Sequence, residues 1–164
     1  MAARAHGLTI LDGVFNEIAD ADGLARQCAQ GAALGFDGKT LIHPSQVEAA
    51  NAAFTPDPEA VAEAIDMLYG GPETLIVVSS DLSHYLPYRE AVSVDRATCD
   101  AILALDTDLH HEQACGATPV CGLTLAARRK GLKAELLDVR NSGDTAGDKS
   151  RVVGYAAFAF YPSS

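Results

Sequence analysis

Residues 74–88 read TLIVVSSDLSHYLPY, an apolar run that ends in two serines, an aspartate and, three residues later, a histidine. The first seven residues, TLIVVSS (74–80), predict a central strand of a parallel sheet, because such strands are covered on both faces and are apolar throughout. Ligands of α/β folds bind at the carboxyl ends of parallel strands. Asp81 and His84 are therefore candidate site residues, either as metal ligands or as a hydrogen-bonded pair that only shapes a turn.

Helices and strands alternate on both sides of this run. Before it, the sequence predicts strands at 8–15 and 39–42. A helix between these strands has Asp22 as its predicted N-cap and Gly35 after its end. Two further helices are predicted, one from the capping box Ser45–Glu48 to about Ala53 and one from Asp57-Pro58 to Tyr69. After it, the sequence predicts helices at 94–105 and from Thr118-Pro119 to Gly131, strands at 134–139 and 151–161, and a turn-rich loop at 141–148. This alternation predicts an α/β fold with layered helices on a largely parallel sheet.

Charge and composition narrow the classes of partner. The 164 residues carry a formal net charge of −10, which would repel a phosphate backbone and an anionic lipid surface. No apolar stretch approaches the roughly 20 residues that span a bilayer, and the N-terminus lacks the pattern of a signal peptide. We therefore expect a cytoplasmic protein without nucleic-acid or membrane partners.

The four cysteines form no C-x-x-C pair, so the sequence predicts neither a disulfide scaffold nor a zinc knuckle. Cys28 and Cys99 lie in helical patterns and are interpreted as small buried apolar residues. Cys115 is not interpreted in this way.

The N-terminal third resembles a known enzyme family. DGVFNEIADADGL (12–24) and LGFDGKTLIHPSQ (34–46) closely resemble the C-terminal end of the citrate lyase β-subunit and malyl-CoA lyase group of the HpcH/HpaI aldolase superfamily. This resemblance implies a segment of a TIM barrel over residues 1–62. It also marks Asp12, Lys39 and His43 as remnant positions of a CoA-ester lyase site, although the resemblance does not extend to the barrel strands that supply the Mg²⁺ ligands. Mg²⁺ and CoA are therefore not expected.

The remaining residues resemble a second family. GGPETLIVVSSDLSHYLPY (70–88), ACGATPV (114–120) and SGDTAGDKSRVVGYAAFAF (142–160) are similar to the C-terminal part of Memo-like proteins, whose prokaryotic members are called AmmeMemoRadiSam system protein B. The resemblance implies a fold like that of class III extradiol dioxygenases over residues 63–164. It also implies a metal site containing Asp81, His84 and Cys115, with Fe, Cu or Zn as the candidate ions.

The chain thus resembles a fusion of two family fragments that meet inside one predicted helix, and we expect them to merge into one domain. The Memo-like resemblance implies two further metal-contacting histidines that this sequence does not match, and His6, His43, His110 and His111 are not expected to replace them. The sequence therefore predicts a non-catalytic or residual-function protein. The alternatives are a Memo-like metalloprotein and a remnant CoA-ester lyase. A homodimer and contacts with the other AmmeMemoRadiSam proteins are the expected partnerships.

Overall fold

The computed structural model of the chain describes residues 5–145 and 147–162, which divide into two compact units, one up to Thr55 and one from Pro56 onward. The α/β character is confirmed. None of the helices within the described residues is long and apolar enough to cross a membrane. The predicted boundary between residues 62 and 63 and the merging into one domain stay predictions.

The first unit is a small α/β arrangement. Its elements are β1 (Leu11–Asp12), α1 (Ala21–Ala33), β2 (Gly38–Lys39), a 3₁₀ turn (Pro44–Gln46) and α2 (Val47–Phe54). The strands β1 and β2 pair in parallel, and Leu24, Cys28 and Ala50 form the core between the helices. The predicted strands at 8–15 and 39–42 are therefore present as two-residue pairs only.

The residues that begin and end α1 were predicted from local capping signals, and the structure confirms one of these predictions and corrects others. Gly35 has a φ of 84° and follows the helix as predicted, which is the left-handed position where glycine is favoured. The N-cap is Asp20 rather than Asp22, since the carboxylate of Asp20 accepts the N–H of Gly23 at 2.8 Å. The predicted capping box at Ser45 is also wrong, because His43 caps the 3₁₀ turn and accepts the N–H of Ser45.

The second unit packs helices against an antiparallel sheet. Its elements are α3 (Pro58–Leu68), β3 (His84–Leu86), α4 (Tyr88–Leu103), α5 (Ala117–Lys130), β4 (Leu132–Asn141), α6 (Ser142–Thr145) and β5 (Val152–Pro162). The predicted start of α3 at Asp57-Pro58 and the predicted end of α5 at Gly131 are confirmed. Helix α4 begins at Tyr88, six residues before the predicted start at Val94.

The strand order of this sheet is β3-β5-β4, and both pairings are antiparallel. The prediction of a largely parallel sheet is therefore wrong for this unit. The connection from β4 to β5 explains the direction. Its described residues, 142–145 and 147–151, contain only the short α6, whereas a parallel crossover needs a dozen or more residues and usually a full helix.

Residues 74–80 form no strand, which corrects the strand prediction made from TLIVVSS. A strand is defined by hydrogen bonds to a neighbour, and the backbone groups of residues 75–79 have no such bond to any residue in 5–145 or 147–162. Pairing with β5 stops at Gly154, which exchanges backbone hydrogen bonds with Leu82 and Ser83. Beyond that point a mostly apolar groove of about 790 Å³ lies between residues 74–78 and residues 156–160 of β5.

Candidate metal centre

Two loops of the second unit are joined at the candidate site. The N–H of Cys115 donates to the carbonyl of Asp81 at 3.2 Å, and the N–H of Asp81 donates to the Sγ of Cys115 at 3.3 Å. The hydroxyl of Ser80 accepts the N–H of Gly116 at 2.9 Å and donates to the carbonyl of Asp81 at 2.7 Å. Three of these bonds hold residues 80–81 against the segment that leads into α5, and the fourth, from Ser80 to Asp81, lies within the first segment.

Gly116 is required for this close approach. A Cβ added at Gly116 would lie 2.8 Å from the Cβ of Ser80 and 3.2 Å from the backbone oxygen of Ser79. Any larger residue would therefore push the two loops apart and move the sulfur of Cys115 away from Asp81. Ser80 and Gly116 were not among the residues singled out from the sequence.

His84 is placed by an irregularity in the sheet. His84 pairs with Val153 and Leu86 with Val152, so the register shifts between them, and Tyr85 has a positive φ of 60°. A bulge of this kind changes the direction of neighbouring side chains, and bulges are common beside functional sites. The imidazole of His84 thereby lies on the same side as the carboxylate of Asp81, with Nε2 and Oδ2 3.6 Å apart.

The ligand atoms of Asp81, His84 and Cys115 all lie within 4.8 Å of one another, and among the residues described these are the His, Cys, Asp or Glu side chains that gather in this way. Two ligands about 2.0–2.3 Å from a tetrahedral metal ion are about 3.3–3.8 Å apart, so the separation of 3.6 Å between His84 and Asp81 fits such an ion. The same separation is too long for a hydrogen bond. The three side chains are therefore candidate ligands of one transition-metal ion.

The site faces solvent. The side chains of His84 and Asp81 are 37% and 48% exposed, and Cys115 is also exposed. An ion could enter without opening the core, and part of its coordination sphere would remain available to water or a small ligand.

A buried carboxylate supports the segment that carries the ligands. Asp95 on α4 is 3% exposed, and its Oδ1 accepts the N–H of Ser83 at 2.9 Å. Gly154 of β5 leaves room for this carboxylate, because a Cβ there would lie 2.0 Å from Oδ2 of Asp95. Asp95 was missed in the sequence, although it lies on the same helical face as Ala91, Thr98, Cys99 and Ile102, which are buried.

The other histidines of this unit do not join the three ligands. The Nδ1 of His111 lies 3.3 Å from the carbonyl oxygen of Cys115. The backbone N–H of His110 donates to the side-chain oxygen of Gln113. In the first unit, His43 is bonded to Ser45 through its Nδ1. The expectation that none of these histidines completes the ligand set stays a prediction.

The remnant lyase positions of the first unit bind each other. The ammonium of Lys39, whose side chain is fully buried, lies 2.7 Å from Oδ2 of Asp12 and also donates to the carbonyl of Gly13. The hydrogen bond from Lys39 lowers the pKa of Asp12 below its usual range, against the opposing effect of burial. Asp12 and Lys39 thus form an ion pair, and their assignment as remnants of a CoA-ester lyase site stays a prediction.

Comparison with protein families then identifies the larger part of the chain. The family model described as Memo-like protein matches residues 49–159, which is more than half of the sequence. This chain belongs to the Memo-like protein family. The predicted resemblance of the C-terminal part is confirmed, and Asp81, His84 and Cys115 all lie within the matched range.

Curated relatives agree with this assignment. The Memo-like chain is 42% identical over 98 residues to a MEMO1 family protein of Desulfurococcus amylolyticus, covering 56% of this chain and 35% of the relative. It is 32% identical over 135 residues to a MEMO1 family protein of Sulfurisphaera tokodaii, covering 76% of this chain and 46% of the relative. The chain therefore spans about a third to a half of these relatives.

The N-terminal part matches a different family. The model described as HpcH/HpaI aldolase/citrate lyase matches residues 1–44. A (3S)-malyl-CoA thioesterase of Cereibacter sphaeroides is 61% identical over 61 residues, covering 37% of this Memo-like chain and 21% of the relative. The prediction of two family fragments in one chain is confirmed.

Proposed function

We propose that this chain binds a transition-metal ion through the carboxylate of Asp81, the imidazole of His84 and the sulfur of Cys115. The observation that carries the proposal is the convergence of these three chemically different ligand atoms within 4.8 Å of one another. The backbone bonds between Asp81 and Cys115 support it, since they hold the sulfur in place and leave the carboxylate of Asp81 to bind an ion.

The ligand types favour Zn²⁺, Cu or Fe over Mg²⁺ and Ca²⁺. Imidazole suits Zn, Cu and Fe, and thiolate selects Zn or Cu(I), whereas Mg²⁺ and Ca²⁺ take oxygen ligands. An ion of this kind supplies Lewis acidity when bound. The residues of this chain contribute binding and orientation: Asp81 donates its N–H to the sulfur of Cys115, and the bulge at Tyr85 orients His84.

Turnover of a substrate is not part of this proposal. The interpretation as a non-catalytic or residual-function protein stays a prediction, as do contacts with other AmmeMemoRadiSam proteins. Lyase or thioesterase chemistry in the first unit has less support, because Lys39 and Asp12 are already bonded to each other and Lys39 is buried.

The direct test is the metal content of chain purified without a histidine tag or chelator, measured by inductively coupled plasma mass spectrometry. We expect about one equivalent of Zn, Cu or Fe per chain, as for a specific site in a folded protein. His84→Ala and Cys115→Ala should each remove most of it, whereas His110→Ala, which changes an exposed histidine outside the group, should not. Metal far below one equivalent after reconstitution, or equal content in all variants, would overturn the proposal.

A further inference from the structure

The sulfur of Cys115 lies next to a backbone nitrogen of a distant segment. The N–H of Asp81 donates to the sulfur at an N–S distance of 3.3 Å, and the N–H of Cys115 donates to the carbonyl of Asp81 at 3.2 Å. In a hydrogen bond the hydrogen lies close to the line that joins donor and acceptor. A nitrogen–sulfur bond in place of the N–H bond would therefore keep the direction of the amide group and require only a shorter distance.

The backbones of the two segments keep these atoms close. The hydroxyl of Ser80 accepts the N–H of Gly116 at 2.9 Å, so each reacting residue has a neighbour that is bonded across the same contact. A Cβ added at Gly116 would lie 2.8 Å from the Cβ of Ser80, which shows how closely the segments approach. The contact of nitrogen and sulfur thus depends on backbone atoms and on a glycine, and not on the carboxylate of Asp81.

The thiol of Cys115 is accessible to an oxidant, and no second thiol of the chain is. All four cysteines lie within the described residues, and Cys28, Cys99 and Cys121 are buried whereas Cys115 is exposed. Oxidation of an exposed cysteine first gives a sulfenic acid, which condenses either with a thiol or with a backbone nitrogen. The first route has no accessible partner within the chain, and the second has the nitrogen of Asp81 at 3.3 Å.

We propose that hydrogen peroxide joins the sulfur of Cys115 to the backbone nitrogen of Asp81 as a sulfenamide. In the first step the sulfur attacks one peroxide oxygen, the O–O bond breaks, and the products are the sulfenic acid and one water. In the second step the nitrogen attacks the sulfur, the S–O bond breaks, and the hydroxyl leaves with the amide proton as a second water. The sulfur is oxidised by two electrons and one peroxide is reduced to two waters.

The cross-link would be a reversible modification of the chain. An added thiol attacks the sulfur, the S–N bond breaks, the amide regains its hydrogen, and a second thiol then releases Cys115 from the mixed disulfide. Without the cross-link, further peroxide would convert the sulfenic acid to a sulfinic acid, which is not reversed by thiols. Formation of the bond needs no metal ion. Its effect on metal binding rests on the proposed function, because a sulfur bonded to nitrogen is no longer a thiolate ligand.

Peptide mass spectrometry of the metal-free full chain tests the proposal. After treatment with hydrogen peroxide and digestion with trypsin without reduction, residues 40–89 should be linked to residues 97–128. The linked peptide should be lighter by two hydrogen atoms than the sum of its parts, and dithiothreitol should separate them. Residues 40–89 contain neither cysteine nor lysine, so this link cannot be a disulfide or involve a lysine side chain. Recovery of Cys115 unmodified or as sulfinic acid, without linked peptide, would overturn the proposal.

Two variants separate the backbone contact from the carboxylate. Asp81→Ala keeps the amide and should form the cross-link as the wild type does. Gly116→Ala keeps both reacting atoms but forces the segments apart, so most of the cross-link should be lost and replaced by sulfinic acid. Circular dichroism checks that this variant is folded, and if it is not, the wild-type peptides alone decide. Loss of the link in Asp81→Ala with retention in Gly116→Ala would contradict the assigned contact.

Saturating Zn²⁺ distinguishes this proposal from the proposed metal site. If Cys115 is a zinc ligand, the ion should suppress the cross-link that forms in metal-free protein. A cross-link that forms equally with and without Zn²⁺ would support the sulfenamide and count against Cys115 as a ligand. Suppression by Zn²⁺ of a link that forms in its absence would support both.

Discussion

Asp81 and Cys115, 34 residues apart, exchange two hydrogen bonds in opposite directions. In one bond the carbonyl of Asp81 accepts, and in the other the sulfur of Cys115 takes the place that a carbonyl would have in an antiparallel strand pair. The position of the sulfur therefore depends on the backbone of Asp81 and not on its carboxylate. Ligand and scaffold roles of Asp81 are separable by substitution.

Asp81→Ala should weaken metal binding and leave the fold intact. The side chain forms a surface pair with His84, and exposed pairs of this type contribute about 0–1 kcal/mol to stability. Loss of one of three ligands should lower the affinity for Co²⁺ or Zn²⁺ at least about tenfold. Titration followed by visible absorption of Co²⁺ measures the affinity, and urea denaturation measures the stability.

The matched control is Asp108→Ala, which removes an exposed carboxylate outside the ligand group. It should change neither quantity. Equal affinity of wild type and Asp81→Ala would show that the carboxylate of Asp81 is not a ligand.

Cys115 should be the thiol that reacts first in the native protein. It is exposed, whereas Cys28, Cys99 and Cys121 are buried. Burial raises the pKa of Cys99 to about 11, so that residue stays protonated at neutral pH and is a poor nucleophile. Alkylation followed by peptide mass spectrometry should modify Cys115 and leave the other three until the protein is denatured.

Added Zn²⁺ should protect Cys115 from this alkylation, because a sulfur bound to a metal ion is withdrawn from reaction. The protection should disappear in His84→Ala. Modification of Cys115 at the same rate with and without saturating Zn²⁺ would argue against its role as a ligand.

Asp95 should matter for stability because it satisfies a buried donor. Asp95→Ala leaves the N–H of Ser83 without its acceptor, and an unsatisfied buried donor costs about 1–3 kcal/mol. Asp95→Asn keeps an acceptor oxygen at the same place and should cost less. Chemical denaturation of both variants measures the difference.

The same pair of variants tests whether Asp95 supports the metal centre. Asp95→Ala should lower metal affinity more than Asp95→Asn, since Ser83 lies next to His84 in the chain. Equal stability of the alanine and asparagine variants would contradict the assigned hydrogen bond.

The ion pair of Lys39 and Asp12 should make the first unit sensitive to acid. The pKa of Asp12 is lowered in the folded state, mainly by the hydrogen bond from Lys39. The stabilisation is therefore fully present above the unfolded-state pKa of about 3.9 and is lost as the pH falls below it through the folded-state value. Thermal denaturation measured over this pH interval should show the loss.

Asp12→Asn provides the comparison. At neutral pH it should be less stable than wild type by about 3 kcal/mol or less, because the buried ammonium of Lys39 loses its partner charge. The difference should shrink as the pH falls below about 4, because Asp12 then becomes protonated in the unfolded chain while its lowered pKa keeps it ionised in the folded protein. A difference that stays constant with pH would show that the charge of Asp12 is not responsible.

Signals within a few residues were enough to predict several element ends. Asp57-Pro58 starts α3, and glycines 35 and 131 follow α1 and α5 in the left-handed conformation, because capping depends on neighbouring residues only. Residues 74–80 show the limit of such signals. Their composition favours a strand, but a strand also needs a partner, and partners are set by tertiary structure.

The candidate ligands could be predicted from the sequence, but the residues that hold the ligand-bearing segments in place were not. Asp81, His84 and Cys115 were found through the family resemblance, and the structure brings all three together. The bond between Ser80 and Gly116 depends on a contact between distant segments, which no local pattern reveals. A carboxylate on the apolar face of a helix was the one sequence signal that could have identified Asp95.

The ligand-bearing segment is held by β5, since Gly154 exchanges hydrogen bonds with Leu82 and Ser83 just before His84. During translation, Asp81 and His84 leave the ribosome long before this strand does. Cys115 follows them, but the segment on which they sit remains without its last neighbour until β5 has been synthesised. Metal capture would thus require that β5 has been synthesised, and a product terminated before β5 would carry all three ligands and still bind the ion poorly.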